Sequence, residues 1–162
     1  MVHAVRSMTV NRPLGPVVAY LADFSNALEW DPGTRECTRQ DHGPLQVGSL
    51  WHNVSELRGR RTSLTYRLTR MDSNRLTFVG TNDTATSTDD LTFKDQGATT
   101  MVVYEATVTF NGLAKLADPF MRRVFEGLGD ELVHSLPAAV EARATSALEP
   151  RPRAATCMPS WG

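Results

Sequence analysis

Toward the C-terminus, Leu116, Phe120, Val124, Leu128, Leu132, Leu136 and Val140 recur every four residues. Ala117, Met121, Phe125 and Val133 stand beside them, so the spacing predicts one broad apolar stripe along a single long helix. Asp118-Pro119 supplies a start signal: an aspartate suited to cap the helix, followed by a proline whose missing N–H costs nothing in the first turn. A stripe this wide must be buried against another layer. No second helix of comparable length is available to receive it.

What precedes it has the period of strands. Residues 2–10, 34–40, 48–57, 62–71, 75–81, 85–94 and 98–110 read as strand-length segments. The breaks "DHGP", "RGRR", "DSN", "TND" and "DQGA" are turn chemistry. Between the first two segments, Asn11 and Pro13 open a short helix with Val17, Val18, Tyr20 and Leu21 on one face. A second, within "DFSNALEWDPG", should stop at Asp31-Pro32-Gly33, because proline disfavours helical geometry in the residue before it. The fold class expected is α+β: a curved seven-stranded antiparallel sheet wrapped around a long C-terminal helix, with two short helices after the first strand. Such a sheet can close on its helix without filling the space between. Residues 1–146 form the expected domain, and 147–162, Pro- and Arg-containing and without period, a flexible tail.

Charge excludes several classes of partner. The chain of 162 residues has a formal net charge of −1 and a pI near 6.4, so no global field favours nucleic acid or an anionic membrane. "RGRR" at 58–61 occupies a hairpin tip, where solvated charge is the ordinary meaning. Cys37 and Cys157 are too far apart in kind of segment to suggest a disulfide framework. His3, His42, His52 and His134 lie in separate elements without metal-ligand spacing, so neither a metal nor another cofactor is expected. No signal segment or membrane span is apparent, which makes a cytoplasmic protein, monomer or homodimer, the default.

Strand alternation assigns faces. Leu64, Tyr66 and Leu68 point inward, as do Leu76 and Phe78, then Asp89, Leu91 and Phe93, and Val102, Tyr104, Ala106, Val108 and Phe110. In "SLWHNVSEL" the residues Trp51, Asn53, Ser55 and Leu57 share one face and His52 falls on the other. Tyr66, Tyr104, Asp89, Asn53 and Ser55 are then polar groups among apolar neighbours. Buried polar groups need partners. A wet ligand cavity provides them; so does a network in which they satisfy one another, and the residues alone leave both open.

The pieces "NRP", "YLADFSNALEWDPG", "LQVGSLW", "LTYRLTRMDSNRLTF" and "TTMVVYEATVTFNGLAKLADPFMRRV" resemble the polyketide cyclase/dehydrase group of the START-like (SRPBCC) superfamily. The resemblance spans about residues 3–141 and rests on framework positions: the tryptophan before "DPG", the "VG" before the third strand, and the "G…DP" junction into the last helix. It implies a helix-grip fold around a ligand cavity and carries over no catalytic residue.

The expected ligand is a hydrophobic, aromatic or polyketide-like small molecule. A cyclase or dehydratase needs groups that polarise a carbonyl and move a proton, and the candidates are Tyr66, Tyr104, Asp89 and Asn53. The candidate contact residues are Trp30 at the mouth, Trp51 on the floor, and Ser55, Leu64, Phe78, Leu91, Phe93 and Phe110 on the sheet. The long helix would add Phe120, Met121, Val124, Phe125 and Leu128. Either tryptophan serves equally as a packing anchor. The alternative function is a carrier or sensor that performs no chemistry.

Overall fold

A computed structural model describes residues 1–146, without the side chains of 117, 118 and 144–146; the expected tail at 147–162 lies outside the described residues. The strands are β1 (Val2–Val10), β2 (Thr34–Arg39), β3 (Leu50–Leu57), β4 (Arg60–Asp72), β5 (Arg75–Thr81), β6 (Ala85–Asp95) and β7 (Thr100–Phe110). They form one seven-stranded sheet in the order β1-β7-β6-β5-β4-β3-β2, and every pairing is antiparallel. Between β1 and β2 lie α1 (Leu14–Ala22), a 3-10 turn (Phe24–Asn26) and the single-turn α2 (Ala27–Trp30). After β7, a 3-10 segment (Gly112–Ala117) leads into α3 (Asp118–Ser146).

Local chemistry sets these boundaries. The Asp23 carboxylate accepts the Ser25 N–H and so starts the 3-10 turn. Helix α2 ends where Asp31 turns to extended backbone ahead of Pro32. The β3–β4 hairpin is tighter than "RGRR" suggests. Its tip is Arg58-Gly59, both at positive φ (51° and 76°), as a two-residue turn matched to strand twist requires. Arg60 and Arg61 therefore belong to β4, and Arg61 bonds Glu56 across the pair.

The concave face of the sheet is divided along the strands. At one end α1, α2 and the second half of α3 cover it and build a dry core. There Met8, Val10, Trp51, Leu68, Leu76, Phe78, Leu91, Phe93 and Val102 pack against Val17, Leu21, Phe24, Trp30, Leu132, Leu136 and Val140. At the other end only the first half of α3 lies above the sheet. Several of the inward residues beneath it are small: Ala4, Ser55, Ala85, Ser87 and Ala106. Interiors otherwise pack like organic crystals, so missing side-chain volume beneath a rigid roof remains as a cavity. Val2, Ala85 and Val108, with Phe110, Met121 and Phe125 against them, close its far side.

Helix α3 is tied down by Arg6 of β1, whose guanidinium donates to Asp130 (2.9 Å) and to the Glu126 carbonyl (3.1 Å). Ser135 donates to the Trp30 carbonyl at 2.6 Å, and Arg143 pairs with Glu29, which also accepts from Tyr20. The apolar stripe is not uniformly buried. Leu116 falls in the 3-10 segment and is 81% exposed; Phe120 is 55% exposed, with the Arg58 guanidinium 4.8 Å from its ring centre. Within the stripe, burial becomes complete only from Leu132 onward.

Candidate functional site

The cavity has a volume of about 530 Å³. Residues of β1, β3, β4, β6 and β7 line it on the side of the sheet, and α3 covers it from Phe120 to Leu132. Of the sequence candidates, Tyr66, Tyr104, Asp89, Ser55, Leu64, Phe110, Phe120, Met121, Val124, Phe125 and Leu128 line it.

Six candidates do not. Trp51, Phe78, Leu91 and Phe93 point to the concave face, as alternation predicts, but at the end covered by α1 and α2. Trp51 is fully buried, its ring 5.8 Å from Phe78, and its indole N–H is shared between Asp23 (3.2 Å) and Ser25 (3.1 Å). Thus it does not floor the cavity. Trp30, expected at the mouth, is buried against Phe24 and Tyr104 in the core. Asn53, expected among the catalytic groups, is buried behind the wall, where its amide donates to Thr34 Oγ1 (3.0 Å) and its carbonyl accepts from Ser55 (2.9 Å).

Where core meets cavity, one polar cluster stands in the wall. Strands β6 and β7 place Leu91 opposite Tyr104 and Asp89 opposite Ala106, which brings the Tyr104 hydroxyl onto Asp89. Tyr104 donates to Asp89 Oδ1, and Ser87 donates to Oδ2 at 3.3 Å. The Tyr66 hydroxyl, from β4, faces the same cluster and is electrostatically coupled to Asp89 and Ser87. Burial drives the Asp89 pKa up to about 6, although the hydroxyls of Tyr104, Tyr66 and Ser87 pull it down by stabilising the anion. Both tyrosines are held well above their ordinary range, first by burial and then by the Asp89 charge. The cluster therefore titrates at the carboxylate, close to neutrality.

A second carboxylate was not legible as a site residue. Asp31, in "WDPG", reads as turn chemistry, and it does accept the Gly33 N–H (3.0 Å) and the Thr34 hydroxyl (2.6 Å). It also lines the cavity, and burial raises its pKa. Arg6 is a further lining residue missed, although alternation places it on the apolar face of β1 with Val2, Ala4, Met8 and Val10. Its charge is committed to Asp130 on α3.

Comparison with known proteins is specific about family. The profile of the family described as polyketide cyclase / dehydrase and lipid transport matches residues 1–141. The chain belongs to that family. Among solved structures, the Zhui aromatase/cyclase from Streptomyces sp. R1128 superposes with a TM-score of 0.74 at 15% identity, over 90% of this chain and 96% of that one. The protein TTHA0849 from Thermus thermophilus gives 0.71 at 17% identity, over 91% and 99%. A START superfamily protein from Mycobacterium smegmatis gives 0.67 at 13% identity, over 90% and 98%. At these identities the likeness establishes the helix-grip fold. No curated protein matches the chain. Among the described residues, no helix is long and apolar enough to cross a membrane.

Proposed function

We propose that the protein binds a hydrophobic, aromatic or polyketide-like molecule in this cavity and acts on it as a cyclase or dehydratase. The observation that carries the reading is the Asp89 carboxylate, pushed up to about 6 and ringed by the hydroxyls of Tyr104, Tyr66 and Ser87, in the wall of an otherwise apolar chamber. A base with that pKa is ionised at neutral pH yet holds a proton well enough to return it.

In a poly-β-ketone, Asp89 takes a proton from a methylene flanked by two carbonyls. The resulting enolate carbon attacks a carbonyl further along the folded chain, forming the ring bond. A tyrosine hydroxyl protonates the new alkoxide and is itself reprotonated through Asp89, so the aldol step balances. Loss of that hydroxyl with a neighbouring proton then expels one water and leaves a double bond. The cavity contributes by folding the chain, which brings the reacting carbons together before chemistry begins. The relative described as an aromatase/cyclase shares this fold, which supports the reaction class.

A poly-β-ketone thioester incubated with the protein tests this. Conversion to a cyclised, dehydrated product is expected, with loss of at least a hundredfold in rate in Asp89→Asn and Tyr66→Phe and little change in ligand affinity. Recovery of the compound unaltered but bound would favour the carrier or sensor reading, to which the family's lipid-transport description also points. Equal turnover in both variants removes these residues from the mechanism.

A further inference from the structure

Behind the cavity wall runs a chain of hydrogen bonds with both ends at the cavity. Ser55 Oγ donates to Asn53 Oδ1 (2.9 Å), Asn53 Nδ2 donates to Thr34 Oγ1 (3.0 Å), and Thr34 donates to Asp31 Oδ2 (2.6 Å). The Gly33 N–H closes it on Asp31 Oδ1 at 3.0 Å. Ser55 and Asp31 line the cavity; Asn53 and Thr34 are buried behind them.

The direction of this chain follows from its acidic end. Asp31 accepts the Gly33 N–H on one oxygen and the Thr34 hydroxyl on the other, so Thr34 commits its one proton to Asp31. Thr34 then has only lone pairs for Asn53, which must present its amide nitrogen. That orientation leaves the Asn53 carbonyl facing Ser55, and Ser55 must direct its proton there. Both hydroxyl donors of the network are used internally, and the Asn53 amide is buried and does not line the cavity. What remains toward the cavity is acceptor capacity alone: the Ser55 lone pairs and one free lone pair on each Asp31 oxygen.

We infer that Asp31 and Ser55 form a second polar subsite, which holds the ligand by accepting a hydrogen bond from a hydroxyl, phenol or N–H group. Carbonyl and ether oxygens are rejected there, since they would leave two sets of lone pairs opposed in an apolar chamber. Asn53 and Thr34 are positioning residues that fix this polarity. The subsite rests on the reading that the cavity binds ligand, and it adds which functional group the ligand presents, and against which wall.

Three probes that differ only in their oxygens test it by calorimetry: 2,6-dihydroxynaphthalene, its monomethyl ether and its dimethyl ether. The dihydroxy compound should bind the native protein about tenfold more tightly than the monomethyl ether, the gain of one hydrogen bond to a buried acceptor. In Ser55→Ala, and separately in Asp31→Asn, that ratio should fall to near one while affinity for the monomethyl ether is retained. Asparagine keeps the Gly33 contact but turns an N–H toward the cavity, so it inverts the polarity with little change of shape. Binding of all three probes with equal affinity, or a tenfold ratio that survives in both variants, overturns this inference alone. Failure of every probe to bind overturns the ligand-binding reading along with it.

Discussion

Gly80 lies directly beneath the ring of Tyr66. The two residues are paired across β5 and β4, and a Cβ added at Gly80 would stand 2.6 Å from Tyr66 Cζ. No side chain fits there unless the ring moves. The glycine is thus the seat on which the Tyr66 hydroxyl is presented to Asp89 and Ser87, at the boundary between core and cavity. Gly80→Ala should cost about 1–3 kcal/mol by denaturant unfolding, the usual penalty for overfilling a packed site. In a Tyr66→Ala background the same substitution should cost little, because the atoms it meets are gone. Equal costs in both backgrounds would show that the ring does not depend on the glycine.

Asp89 makes stability depend on pH in a predictable sense. Its folded pKa of about 6 lies above the ordinary 3.8, so folding favours the protonated form. The stabilisation it brings is full below about pH 4, is lost as pH rises through 6, and stays lost above. A pKa raised by about 2 corresponds to roughly 3 kcal/mol. Other carboxylates act oppositely: Glu29 and Asp41, beside Arg143 and Arg39, are held below their ordinary range. The informative quantity is therefore the stability of the native protein minus that of Asp89→Asn. This difference should fall by roughly 2–3 kcal/mol between pH 4 and 7, then level off. A flat difference contradicts the assignment.

The Tyr104 hydroxyl stabilises the Asp89 anion, so its removal should weaken the acid. If Asp89 is the base, activity rises with pH around a midpoint near 6 in the native protein. In Tyr104→Phe that rising limb should move to higher pH. A limb that stays in place, or moves down, would separate the pH dependence from this hydrogen bond.

Arg6 joins the cavity wall to its roof through Asp130 and the Glu126 carbonyl. Arg6→Met keeps the apolar stem and removes the tether. It should cost about 1–2 kcal/mol of stability and raise hydrogen exchange in α3 between Phe120 and Asp130. Unaltered exchange there would mean that the roof is held by packing alone.

Much of the fold is legible in the chain because two periods alternate cleanly. The four-residue stripe from Phe120 to Val140 and the strand segments separated by turn residues specify a sheet gripping one helix, and the inward faces follow. Strand ends drift by a residue or two where turn geometry decides, as at Arg58-Gly59. The polar part of the candidate site was legible where a polar residue interrupts an inward apolar row, as Tyr66, Asp89 and Tyr104 do, and its apolar part where the stripe of α3 faces the sheet. Alternation tells which face a residue takes and is silent on position along the strand. Trp51, Phe78, Leu91 and Phe93 consequently read as cavity wall, although α1 and α2 cover their end of the sheet. Asp31 shows the converse, since its turn-forming bonds to Gly33 and Thr34 disguise a carboxylate that faces the chamber.

A buried carboxylate that titrates near neutrality inside a ligand cavity is what the proposed chemistry requires above all. Carboxyl carbon NMR of the native protein, compared with Asp89→Asn to assign the signal, measures it directly. The Asp89 resonance should titrate with a midpoint near 6, and should shift when 2,6-dihydroxynaphthalene is added. A midpoint near the ordinary 3.8, with no response to the added compound, would contradict it.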